Sequence, residues 1–150
     1  MLKHEFFRRP PPKSTGREEF GTYYLAEFMH QSQLGPADLL ATLALFTART
    51  IAAGIERFAD PAGELEEVFV SGGGVRNSHL MALLEEVLTP RRVRPIDDLG
   101  VTADAKEALS FAVLANETVM GRAGNVRGAT GATLDAVLGK ISLPPLVEQE

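Results

Sequence analysis

The sequence predicts an α/β fold, rich in helix and built around a small sheet. Three observations carry that reading. Val68-Phe69-Val70 is a short apolar run with β-branched residues, the pattern of a buried strand. Ser71-Gly72-Gly73-Gly74 follows it at once. Asn77 then opens a segment in which Leu80, Met81, Leu83, Leu84, Val87 and Leu88 recur at helical spacing. Beyond Pro90, Arg92 to Ile96 supplies a second extended run. Strand, glycine turn, helix and strand in that order make a βαβ unit with parallel strands.

Composition bounds what such a fold can do. The 150 residues suit one domain of common size, taken here as residues 1–150. Fifteen Lys and Arg against 20 Asp and Glu give a net charge of −5, which argues against a general nucleic-acid partner. No apolar run approaches the ~20 residues of a membrane helix. The richest, Leu39 to Ile55, is cut by Thr42, Thr47, Arg49 and Thr50. No membrane partner is therefore expected. Met1-Leu2-Lys3-His4-Glu5 has no apolar signal region, and with no Cys there are no disulfides or thiolate metal sites. A cytoplasmic location fits both facts. The early basic cluster of Lys3, Arg8, Arg9, Lys13 and Arg17 reads as a solvated face. So does the acidic cluster of Glu56, Asp60, Glu64, Glu66 and Glu67.

The remaining elements follow in chain order. Arg8 to Lys13 must run extended, because three consecutive prolines fix φ and remove three backbone donors. Thr15 with Glu18 three residues later is a capping-box pattern and predicts a helix start. Phe20, Tyr24 and Phe28 give that helix an apolar face as far as about Gln33. Gly35-Pro36 breaks it. Pro36 suits a first helical turn, and Asp38 suits the positive end of the helix dipole. Residues 37–58 then read as a long helix. Its apolar residues spread around more than one face, which predicts a largely buried element. Asp60-Pro61-Ala62-Gly63 ends it as a turn. After the second strand, Thr102 or Asp104 can cap a helix from about Ala103 to Met120. Beyond Gly121 the chain is glycine-rich and predicts loops, with one short strand or turn near Ala136-Val137-Leu138 and a frayed end from Leu143.

Three stretches can carry chemistry. Gly72-Gly73-Gly74 permits positive φ and lets a ligand lie against bare backbone, and the helix start beyond it offers unpaired N–H groups to phosphate. The same triplet can also be a tight turn that binds nothing. In Asp104-Ala105-Lys106-Glu107, two carboxylates three residues apart can hold sugar hydroxyls, or can simply cap a helix. Lys13-Ser14-Thr15-Gly16-Arg17-Glu18 can meet an anion or again cap a helix. His4, His30 and His79 are scattered, and no metal site is predicted from them.

Taken together, these stretches resemble one family. Pro10 to Phe20, Val70-Ser-Gly-Gly-Gly-Val-Arg-Asn77 and Asp104-Ala-Lys-Glu-Ala-Leu-Ser-Phe-Ala112 are similar, in order and placement, to the C-terminal part of anhydro-N-acetylmuramic acid kinases. Gly124-Asn125, Thr130-Gly131-Ala132 and Val137 to Ile141 resemble that family's ending. The resemblance implies one ribonuclease-H-like, actin-like ATPase lobe of a two-lobed kinase. The implied reaction uses ATP, Mg²⁺ and water on 1,6-anhydro-N-acetylmuramic acid, opening the ring and phosphorylating O6. It assigns Gly72, Gly73, Gly74 and Asn77 to the adenosine part of ATP. Glu107 and Asp104, with Lys13, would meet the anhydro-amino sugar. A homodimer is implied as well.

Family members are more than twice this length, and the N-terminal lobe is what this sequence lacks. That lobe would hold the phosphate loop and the Asp that acts as general base. The expectation is a lobe that is inactive alone. The alternatives are a lobe of another sugar-kinase-like ATPase, or a non-catalytic interaction module that retains the fold.

Overall fold

A computed structural model of the chain describes residues 2–143. They form two compact units, divided between Glu107 and Ala108. The frayed end expected from Leu143 lies, past that residue, outside the described residues.

The first unit begins with an aromatic cluster. His4, Phe6, Phe7, Phe20 and Tyr24 pack in edge-to-face and tilted pairs at ring separations of 4.9–6.1 Å, and Phe7 reaches Phe46 at 5.6 Å. Such pairs anchor the N-terminal segment on the long helix. The helix predicted from Thr15 to Gln33 is two helices, α1 (Arg17–Phe20) and α2 (Thr22–Gln31). Gly21 separates them: a Cβ there would stand 2.0 Å from the Arg17 carbonyl oxygen. The capping box does not form either. Gly16 is the N-cap, and the Thr15 hydroxyl donates to Glu19 Oε2 at 2.7 Å instead.

Helix α3 (Pro36–Gly54) starts with Pro36 in its first turn, and Asp38 lies close behind, as their chemistry dictates. It runs into a wider π turn at Ile55–Ala59. Together they make 24 helical residues, long and apolar enough to cross a membrane by length and composition, which corrects the expectation that no such run exists. Nor is the helix largely buried. Ala48 and Ala52 are, while Leu40 is 69 % exposed.

Strands β1 (Glu67–Val70) and β2 (Arg92–Pro95) pair in parallel, Val68 opposite Val93 and Val70 opposite Pro95. Helix α4 (Ser78–Leu88) makes the crossover. The core is where α4 meets α3: Leu84 and Leu88 lie fully buried with Ala48 and Ala52. Ile55, Val68, Val70 and Val93 pack around them. Alternation along β1 puts Val68 and Val70 on that inner face. Phe69 lies on the other, under the Arg94 guanidinium at 5.7 Å. The sheet is thus held by apolar packing on one face and charge on the other.

The second unit holds most of α5 (Ala105–Val119), which starts in the first, and a short α6 (Arg127–Thr130) that the sequence did not predict. No strand forms near Ala136-Val137-Leu138. The loop is instead pinned by Asn125, whose side chain donates to Leu134 O at 2.9 Å and accepts from Ala136 N at 2.7 Å. Arg122 makes a two-pronged ion pair with Glu117 at 2.6 Å. That pair holds the Glu117 carboxyl below its ordinary range.

Candidate functional site

Because β1 and β2 are parallel, the segments that leave their carboxyl ends emerge at one edge of the sheet. Those segments are the glycine turn after Val70 and the Ile96–Leu99 turn after Pro95, which leads to α5. In open α/β sheets this edge is where ligands bind. The topology alone therefore places two of the three sequence motifs side by side.

The glycines are not equivalent. Gly72 has φ +84° and ψ −172°, a region in which any side chain is strained. Gly73 and Gly74 have no positive φ. A Cβ on Gly73 would meet nothing within 4 Å, and one on Gly74 only Leu80 Cδ2 at 3.6 Å. The fold therefore requires glycine at 72 alone. At 73 and 74 it leaves bare, open backbone at a cost in chain entropy. The turn closes through Val75 N to Gly72 O at 3.2 Å and Asn77 N to Gly74 O at 3.0 Å. Asn77 caps α4, accepting from Leu80 N at 3.1 Å, so its side chain already has a structural duty.

The α5 start is fastened locally. Thr102 Oγ1 accepts from Ala105 N at 3.2 Å, and Asp97 accepts from Ala103 N at 3.1 Å. Thr102 is the cap, which frees Asp104. The Asp104 carboxylate instead forms an ion pair with Arg76, at the end of the glycine turn and 28 residues away. Glu107 follows in the first turn of α5, exposed. The approach from β2 is held by Arg94, which donates to Asp98 at 2.8 Å and to Glu67 at 3.3 Å. Those carboxylates push the Arg94 pKa up, Asp98 the more strongly.

Lys13 does not join this edge. Its ammonium lies 4.7 Å from the Phe6 ring and 4.6 Å from the Phe58 ring, and donates to Phe6 O at 2.9 Å. A cation between two aromatic faces, near the end of α3, has a structural account of its own. Asp60, read from the sequence as part of a solvated face, is 6 % exposed. It accepts from Arg91 at 2.8 and 3.1 Å and from Glu64 N and Leu65 N. The Arg91 guanidinium holds the Asp60 carboxyl below its usual value, against the opposing effect of burial. Among the described residues, no group of three or more His, Cys, Asp or Glu side chains converges to hold a metal ion.

This order of motifs, spread over the whole chain, is matched elsewhere. The sequence model of the anhydro-N-acetylmuramic acid kinase family matches residues 1–144. The chain belongs to that family. The anhydro-N-acetylmuramic acid kinase of Salinibacter ruber is 46 % identical over 147 residues, 96 % of this chain and 37 % of the relative. That of Caldanaerobacter subterraneus is 40 % identical, covering 95 % of this chain and 37 % of its own length. A Bacillus cereus relative of the same name is 38 % identical over 97 % of this chain and 39 % of its own length. The chain thus spans under two-fifths of the length of these anhydro-N-acetylmuramic acid kinases.

Arg76 stands at this edge, within Val70 to Asn77, and the sequence pattern does not single it out. Nothing local marks it, since its partner lies on another element. A hollow of about 470 Å³ in the second unit, lined by Phe111, Leu114, Thr118, Leu138 and Ile141 among others, contains none of the candidate residues. Its apolar lining suits packing rather than a charged, polyhydroxylated ligand.

Proposed function

We propose that this chain, as a single actin-like lobe, is the adenosine side of a kinase for 1,6-anhydro-N-acetylmuramic acid. In that reaction water attacks the anomeric carbon and loses its proton to a base. The bond from that carbon to O6 breaks, and O6 is phosphorylated to give N-acetylmuramic acid 6-phosphate. ATP, when bound, supplies the γ-phosphoryl group, with Mg²⁺ at its phosphates. The chain's own contribution is binding and orientation. Gly72–Gly74 offer bare backbone to the adenosine part, and Asp104 and Glu107 offer carboxylates to sugar hydroxyls.

Family membership supports the chemistry. The observation that carries the nucleotide site is the open backbone at Gly73, where the fold itself has room for a side chain. The base and the phosphate loop fall to the part of the relatives that this chain does not span, so the chain alone turns over no substrate. Leu109, Phe111 and Val119 of α5 are 51–71 % exposed, which supports self-association as a homodimer.

Calorimetric titration of Mg·ADP into the 150-residue chain tests this reading beside Gly73→Val. The expected result is binding by the parent, weakened at least about tenfold in the variant, with an unchanged melting temperature. Equal binding by both, or none by a folded parent, overturns it and favours the interaction module.

A further inference from the structure

We propose that Arg76 is a positioning residue, tying the glycine turn to the start of α5 through Asp104 and so setting where Glu107 stands. The ligand half of this proposal rests on the reading above; the structural half does not.

Starting at β1, Glu67 holds Arg94 of β2, and Arg94 holds Asp98 in the turn that follows β2. Asp97 in that turn holds Ala103 N, and Thr102 holds Ala105 N, which brings the path to the first turn of α5. From there Asp104 returns to Arg76, and Arg76 returns through the glycine turn to β1. The path is a closed ring, and every other link in it joins residues of the sheet or neighbours in the same loop. The Arg76–Asp104 pair is the link that passes between the two candidate subsites. Remove it and the ring becomes an open chain, in which α5 keeps its own caps and loses its reference to the glycines.

The pair is also suited to adjustment. Both side chains are more than two-thirds exposed, at 73 % and 70 %. An exposed pair contributes little net stability, so it can yield when a ligand competes for either partner. Occupancy of one subsite is then felt at the other, in the reciprocal way that coupled sites require.

Hydrogen exchange of the chain without ligand, followed by mass spectrometry, decides the structural half. Arg76→Gln is expected to speed exchange about two- to fivefold at residues 103–107, and Asp104→Asn to do so at 73–77. The double variant should go no further than either single one. The charge-swapped pair Arg76→Asp with Asp104→Arg should restore protection. Raising NaCl to about 1 M should erase the difference between parent and variants. Exchange at 103–107 unaltered by Arg76→Gln overturns the proposal. Mg·ADP titration then separates the two ideas. If ADP binds and Asp104→Asn lowers its affinity about two- to fivefold, both stand. If ADP binds and the cross-effects on exchange are absent, the positioning role fails and the nucleotide reading survives. If the cross-effects are present and a folded chain binds no ADP, the nucleotide reading fails and the structural tie survives.

Discussion

Asp60 and Arg91 meet at the amino ends of the two strands with side chains 4 % and 9 % exposed, whereas Arg76 and Asp104 meet beyond the carboxyl ends at 73 % and 70 %. The two pairs use the same residue types on the same βαβ unit, and their surroundings give them opposite characters. At the amino end the carboxylate also takes two backbone N–H groups, and the guanidinium is engaged through both Nε and a terminal nitrogen. Each buried charge is satisfied, so losing one partner strands the other. At the carboxyl end water is the alternative partner for either group, and losing one costs little. The unit is clamped by a buried pair at its amino end and latched by an exposed pair at its carboxyl end.

The largest loss is expected at the clamp. Asp60→Asn leaves Arg91 charged and buried without its anion, and is expected to lower the melting temperature on the order of 10 °C. Arg91→Met should do the same from the other side. A loss under about 2 °C in both would mean the pair is no clamp. The pH dependence has a definite sign. The folded Asp60 carboxyl titrates below its ordinary value of 3.8, so its stabilisation is complete above that value. It drains away as pH falls from there through the lower folded value. The parent should therefore lose denaturant resistance below about pH 4 more steeply than Asp60→Asn, whose amide does not titrate.

Next in size are the glycines. Gly72→Ala forces a side chain into positive φ and should cost about 1–2 kcal/mol in denaturant melts. Gly73→Ala, with open space and no positive φ, should stay within about 0.5 kcal/mol. Equal costs at the two positions would remove the reason for reading Gly73 as a ligand-facing residue.

What could be read from the sequence, and what could not, follows the same divide. Asn77 as a cap, Pro36 at a helix start and the βαβ order were legible because their causes lie within a few residues. The glycine turn was legible as a turn, but not as one required glycine and two open ones, since that needs the backbone angles. Both ion pairs were hidden. Their partners are 31 and 28 residues apart, and a charged residue in isolation reads as surface. Asp60 therefore reads as part of a solvated face, and Arg76 does not stand out. The capping box at Thr15 failed for a different cause. Its residue types were right, but Gly16 takes the N-cap position and the Thr15 hydroxyl donates to Glu19 instead of to the backbone. The setting of Lys13 was not legible, because Phe6 and Phe58, whose rings flank it, come from segments that only the fold brings together. Thr102 and Asp104 were equivalent candidates for a cap. Only the position of Arg76 shows why one caps and the other does not.

The smallest expected effect tests the other half of the comparison. Arg76→Gln should shift the melting temperature by no more than about 2 °C, because an exposed pair is largely replaced by hydration. Salt then separates the two pairs without reference to any ligand. Added NaCl shortens the screening length to about 3 Å at 1 M and weakens a pair that solvent ions can reach. The gap between parent and Arg76→Gln should therefore close as salt rises. The gap between parent and Asp60→Asn should persist, because ions do not enter a site whose side chains are under one-tenth exposed. If both gaps close together, the clamp is as accessible as the latch. The βαβ unit would then have one kind of electrostatic fastening at both ends, and the carboxyl edge would lose its claim to be the adjustable one.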